Sequence, residues 1–261
     1  HNRLSVGMDE IPDYLGKAFV AIEDERFYQH NGIDFKSIIR AGYQFFKTGG
    51  EEAQGASTIT QQLLKNTVFT DWTSEGNNKI KKIKRKIQEQ YLALEITKYY
   101  SKDEILLRYM NAINLGQNTL GVESASLRYF GKHCSELTIS ECAVIASITQ
   151  NPSKYNPIRH PEENVKRREK CLNKMLELGF ISQTQYDEAM ADTDAVYERI
   201  GLYDIDYQEA NATTGSYFSD AVYEQVKQDL ILSGYNENMA ETLLTSGGLR
   251  VESTLDPKIQ A

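Results

Sequence analysis

Proline placement constrains this chain more than any other feature. All five prolines lie at positions 12, 152, 157, 161 and 257, so from Asp13 to Asn151 only glycine and turn residues can break a helix. Apolar residues at helical spacing fill that interval: Leu15, Phe19 and Ile22, then Ile80, Ile83, Ile87, Tyr91 and Leu94, then Ile105, Tyr109 and Ala112. Breaks are expected at Asn31-Gly32, Lys47 to Gly55, Asp71 to Asn78 and Asn114 to Gly121, where Gly, Asn, Asp and Thr gather. Past a turn region from Pro152 to Pro161, the stretches Glu162 to Leu178 and Ser182 to Ala191 read as two more helices, the second capped by Ser182. The expected fold class is mainly α. A first domain over residues 1–195 is followed, in 196–261, by a polar linker, a helix near Ser219 to Leu232 and a strand at Gly247 to Thr254 with period-two alternation.

With 40% hydrophobic and 25% charged residues, the composition is that of an ordinary folded domain. The longest apolar stretch, Ala143 to Ile148, falls far short of the roughly 18 residues of a spanning helix. The chain begins at His1, so a signal or anchor could precede it, and its compartment has to be argued from function. Cys134, Cys142 and Cys171 are odd in number and lack CxxC spacing, which argues against a disulfide framework or a zinc site. The formal charge of −8 speaks against an anionic partner, and no nucleic acid is expected. Yet six of the eight residues from Lys79 to Lys86 are Lys or Arg, while acidic residues gather around Asp187 to Glu209. That segregation points to a local anion site on an acidic body.

Three groups of residues could carry chemistry. Glu23, in a helix, would be stacked between Phe19 and Phe27 at four-residue steps; desolvation by aromatics raises a carboxyl pKa and suits a proton acceptor. On spacing alone, a solvated edge residue is the commoner outcome for such a carboxylate. Glu89 follows Arg85 and Lys86 by one turn, in the order less favourable for plain helix stabilisation. Ser57, at an expected helix start, leads a face carrying Gln61 and Lys65, where free backbone donors, an amide and an ammonium would converge on an anion; a capped amphipathic helix has the same pattern. His30 could be a catalytic group, but a lone His ending a helix is more often a cap or an orienting hydrogen-bond partner. Lys47-Thr48-Gly49 matches a motif of penicillin-binding active sites, but no S-x-x-K accompanies it. Tyr43, Phe45, Phe46, Val68, Phe69 and Trp72 could dip into a membrane surface, with core packing as the default.

In order along the chain, five segments resemble the peptidoglycan glycosyltransferase domain (glycosyltransferase family 51) of class A penicillin-binding proteins. They are Glu23 to Gly32, Gly55 to Asn66, Arg85 to Glu89, Ile105 through Tyr109-Met110-Asn111 to Lys132, and Glu141 to Pro157. The resemblance covers about residues 13–190, and Val251 to Gln260 looks like the entry into a transpeptidase domain absent from this chain. Leu107 departs from the pattern, where the family often has an acidic residue.

The resemblance implies a lysozyme-like helical fold with a membrane-proximal lobe. It also implies a location outside the cytoplasmic membrane, with anchoring by a helix upstream of residue 1. The implied reaction polymerises lipid II onto a growing glycan strand with inversion and release of undecaprenyl diphosphate. Glu23 is then the base, Glu89 positions sugar or diphosphate-binding cations, and Ser57, Gln61, Lys65, Arg85, Lys86 and Asn111 bind substrate or diphosphate. A divalent cation, Mg2+ or Mn2+, could share the task, and no organic cofactor is expected. A lytic glycan-cleaving enzyme and a non-catalytic membrane or anion-binding module are the alternatives.

Overall fold

A computed structural model describes residues 4–48, 55–69, 79–117, 119–201, 203, 217–235, 237, 239, 240 and 244. Among them eleven α-helices occur: α1 (Asp13–Glu23), α2 (Phe35–Thr48), α3 (Ile59–Thr67), α4 (Lys79–Ile96), α5 (Lys102–Ala112), α6 (Val122–Phe130), α7 (Ile139–Ala146), α8 (Pro161–Glu177), α9 (Gln183–Ala191), α10 (Thr193–Glu198) and α11 (Tyr217–Leu232). The mainly α architecture is therefore as expected. The described β structure amounts to one isolated bridge, Asn114 to Leu120; the strand expected at Gly247 to Thr254 lies outside the described residues. Residues to Ile205 form one compact unit and those from Asp206 another, so α10, with Val196 fully buried, belongs to the first. In the second unit α11 carries an ion pair between Lys227 and Glu237 at 3.0 Å.

Helix starts follow local chemistry. Thr58, Ser101, Thr138 and Ser182 each cap a helix with a side-chain oxygen, and Gln61, Glu104, Glu141 and Gln185 return the bond from the third helical position. Pro161 opens α8, where its missing N–H loses nothing.

The main core is built around α1 and α7. Helix α7 buries every residue from Ser140 to Ala146, as a short helix apolar on nearly all sides must. Helix α1 packs Leu15, Ala18, Phe19 and Val20 against α5, α7 and α8. Phe19 meets Tyr109 edge to face, ring centroids 5.8 Å apart. All three cysteines are buried and free.

A smaller cluster of Ile33, Leu64 and Ala93 sits where the start of α2 meets α3 and α4. Around it the periodicity of α4 takes a turn that the sequence does not announce. Ile80, Ile83, Ile87 and Tyr91 form a helix face as predicted, but the face is exposed, Ile80 by 80%. Phe35, Ile39 and Tyr43 on α2 are exposed likewise, and so is Val68 after α3. Core packing, the default for Tyr43 and Val68, is thus replaced by exposure, because the small cluster takes up only one side of each helix. Phe69 does pack on that cluster, and Trp72 lies outside the described residues.

Candidate active site

Glu23 is the last residue of α1, and its placement differs from the apolar sandwich expected. Asp24 leaves the helix, with φ −158° and ψ 72°, and Phe27 sits in a separate 3-10 turn, Phe27–Gln29, so no helical stack places Phe27 over Glu23. A polar socket replaces it. Arg167 Nη2 of α8 donates to Glu23 Oε1 at 2.7 Å, the Thr149 hydroxyl donates to the same oxygen, and Gln62 Nε2 of α3 donates to Oε2 at 2.8 Å. The side chain is 9% exposed. A carboxylate oxygen has about two lone-pair directions. Among the described residues Oε1 takes two donors and Oε2 one.

Each donor is itself fixed. Tyr109 directs its hydroxyl at Gln62 Oε1, 3.1 Å away, which orients the amide so that its NH2 faces Glu23. Arg167 also donates to the Ser147 carbonyl at 3.1 Å and to Gln150 Oε1 at 2.8 Å, and its guanidinium lies 5.0 Å from the Tyr155 ring centre. Asp24, next to Glu23, turns inward: His30 Nε2 lies 3.0 Å from both its oxygens and the Ile59 N–H donates to it at 3.0 Å, pinning the start of α3 to the end of α1. His30 thus serves as an orienting partner.

Glu23 faces a cleft of about 590 Å³ whose lining includes Ser57, Gln61, Gln62, Lys65, Lys86, Thr149 and Arg167. On the α4 side, Lys86 Nζ donates to Ser57 Oγ at 3.1 Å and to Glu89 Oε2 at 2.7 Å. Burial lowers the Lys65 pKa, and the nearby charges of Lys86 and Arg85 lower it further, against a smaller opposing effect of Glu89. An ammonium held in that state gains from any arriving anion.

The remaining residues singled out in the sequence fall in different places. Gln61 lines the cleft, but its carbonyl accepts from Thr58 N at 2.9 Å, because the cap of α3 is Thr58 and not Ser57. Arg85 and Glu89 do not line the cleft. Glu89 is wholly buried and takes Arg85 on one oxygen and Lys86 on the other, so it acts on the cleft by holding Lys86 and through its charge on Lys65. Asn111 is not at the site. Its amide pairs in both directions with the backbone of Val6, each bond 3.0 Å, and tethers the N-terminal segment to α5. Gln62, Thr149 and Arg167 were missed by sequence reasoning. Gln62 adjoins Gln61, but nothing in spacing ties Thr149 or Arg167 to Glu23 across 126 and 144 residues.

The donor set does not suit a protein-held divalent cation. Among the described residues no three His, Cys, Asp or Glu side chains gather closely enough to hold a metal ion. Both oxygens of Glu89 are engaged by cations, whereas Mg2+ is usually held by one or two carboxylates together with substrate phosphates and water. The cationic chemistry of the cleft is that of its lysines and arginines, Arg40 and Arg167 among them.

The transglycosylase family matches residues 1–176. A penicillin-binding protein 1A of Clostridium perfringens is 40% identical over 267 residues, covering 99% of this chain and 38% of that protein. Penicillin-binding protein 1F of Bacillus subtilis is 38% identical over 259 residues, covering 99% of this chain and 33% of that one. A crystal structure of penicillin-binding protein 1A from Haemophilus influenzae is 25% identical, with a TM-score of 0.43, over 73% of this chain and 17% of that one. The chain therefore spans well under half the length of the curated relatives it matches.

Proposed function

The chain belongs to the transglycosylase family, and from that premise we propose that it is the glycan-polymerising part of a peptidoglycan synthase. The observation that carries the proposal is Glu23, whose Oε2 accepts a single bond among the described residues, from Gln62, in the same cleft as Lys65 and Lys86. The substrate is lipid II, a disaccharide on a lipid diphosphate. Glu23 Oε2 accepts the proton of the acceptor sugar's 4-hydroxyl as that oxygen attacks the donor's anomeric carbon. The bond to the diphosphate breaks on the opposite side, which inverts the centre. Undecaprenyl diphosphate leaves with the bonding electron pair, and Lys65 and Lys86 meet the charge that develops on it. Arg167, Thr149 and Gln62 keep the carboxylate in place for the transfer. Glu89 and Arg85 act through Lys86, and Ser57 steadies its ammonium. Any divalent cation would arrive on the diphosphate.

No helix among the described residues is long and apolar enough to cross a membrane. The exposed apolar faces of α2 and α4 are instead suited to dip into the outer leaflet of the cytoplasmic membrane, beside the cleft that takes a lipid-borne substrate. A lytic enzyme acting on finished glycan would leave Lys65 and Lys86 without a task.

The test is incubation with lipid-linked disaccharide-pentapeptide in detergent, read as polymer on a gel. Glu23→Gln should lower the rate by roughly 10²- to 10⁴-fold with pyrophosphate binding retained. Polymer from Glu23→Gln at the parent rate would remove Glu23 as the base.

A further inference from the structure

Glu25 lies two residues beyond Glu23 and lines the same cleft, yet neither the base nor the lysine pair uses it. Its Oε1 accepts from Arg40 Nη1 of α2 at 3.0 Å, and its Oε2 lies 3.5 Å from Lys174 Nζ of α8. One carboxylate thus joins the apolar-faced helix α2 to the main body at the wall of the cleft. The bond from Arg40 holds the Glu25 carboxyl below the usual range, against burial, so its charge is present at neutral pH.

Stability does not account for this arrangement. Arg40 is 52% and Lys174 35% exposed, and pairs so exposed stabilise a fold little. Lys174 already has a closer partner in Glu177, at 2.7 Å. In a cleft that receives a diphosphate, a further negative charge opposes binding, and it does so while neutralising Arg40 and Lys174, two cations that line the same wall.

We propose that Glu25 is an internal competitor for the anionic part of the substrate. In the empty cleft it occupies Arg40 and Lys174; an entering diphosphate takes these cations over, and Glu25 reclaims them when the charged end of the substrate or product moves on. Glu25 therefore weakens ground-state binding and speeds release. The identity of the anion rests on the polymerase reading above, but the competition does not.

The experiment is calorimetric titration of the full chain with inorganic pyrophosphate, for the parent, Glu25→Gln and Glu25→Asp. Removing one charge at this range should tighten binding by about fivefold and steepen its weakening with salt. Glu25→Asp, which keeps the charge but cannot span both partners, should fall between the two and guards against a folding defect in the amide variant. Equal or weaker pyrophosphate binding by Glu25→Gln, or binding by neither, overturns the proposal. Tighter binding in a chain that makes no polymer would leave the competition standing and sink the polymerase reading; polymer without tightening would do the reverse.

Discussion

At the scale of single residues, identity and role separate most clearly at Lys65 and Asn111. Asn111 has the chemistry of a sugar-binding amide, but its donor and acceptor are both committed to Val6. Lys65 is held where burial and two neighbouring cations act against its charge. Its folded pKa lies below the ordinary 10.5, so between those two values the unfolded chain binds more protons. Stability contributed by this site therefore rises with pH across that window and is at its lowest on the neutral side. Lys65→Met should flatten that rise in thermal melts, raise Tm at neutral pH by about 2 °C, and lower turnover by roughly 10²-fold. A variant less stable than the parent at neutral pH would contradict the picture of a strained ammonium kept for function.

At the scale of elements, the loop between the Phe27–Gln29 turn and α2 fixes the geometry of the cationic wall. Gly32 has φ +89°, and a Cβ there would lie 2.2 Å from the Ala93 carbonyl oxygen, so the loop rests directly on α4. The Gly32 carbonyl accepts from Thr58 Oγ1 at 2.7 Å, tying the same point to the start of α3. The helices that carry Lys65 and Lys86 thus meet on one glycine. Gly32→Ala combines backbone strain with a steric clash against main chain, and should destabilise by about 2 kcal/mol or more. Urea unfolding should show a lower midpoint, and polymerisation should fall even below the unfolding temperature because α4 shifts Lys86 away from Lys65. Full activity would mean the loop can move without carrying α4.

At the scale of the first compact unit, apolar surface is distributed unevenly. The core around α1 and α7 is closed, whereas α2 and α4 turn isoleucines and aromatics outward, Ile39 by 72%. A groove of about 310 Å³ runs beside Ile80, Ile83 and Ile87. Burying one such side chain in lipid stabilises by roughly 1.5–3 kcal/mol. Ile39→Lys with Ile83→Lys should therefore cut binding to phosphatidylglycerol vesicles by more than about tenfold, with little change in Tm and with detergent activity kept. Loss of Tm would show that these faces cover a core. Unchanged vesicle binding would show that they do not meet lipid.

Much of this was legible in the linear chain. Helices follow from proline placement, period and caps, which are local properties: Ser182 caps α9 as its sequence foretells, and α8 begins at Pro161. Segments with fixed order, such as Glu23 to Gly32 and Arg85 to Glu89, carry the family resemblance without any coordinates. Which face of a helix finds a partner is not local, so Ile83 of α4 and Ile105 of α5 have similar patterns and opposite fates, exposed and buried. The same holds for the socket of Glu23. Its donors come from α3, from the turn after α7 and from α8, and only the packing of α1 against α7 and α8 brings them together. Sequence alone determined the helical class, the caps and the residues able to hold charge. Tertiary structure decided which of those charges meet, because hydrogen bonds and ion pairs depend on distances of about 3 Å that chain separation does not encode.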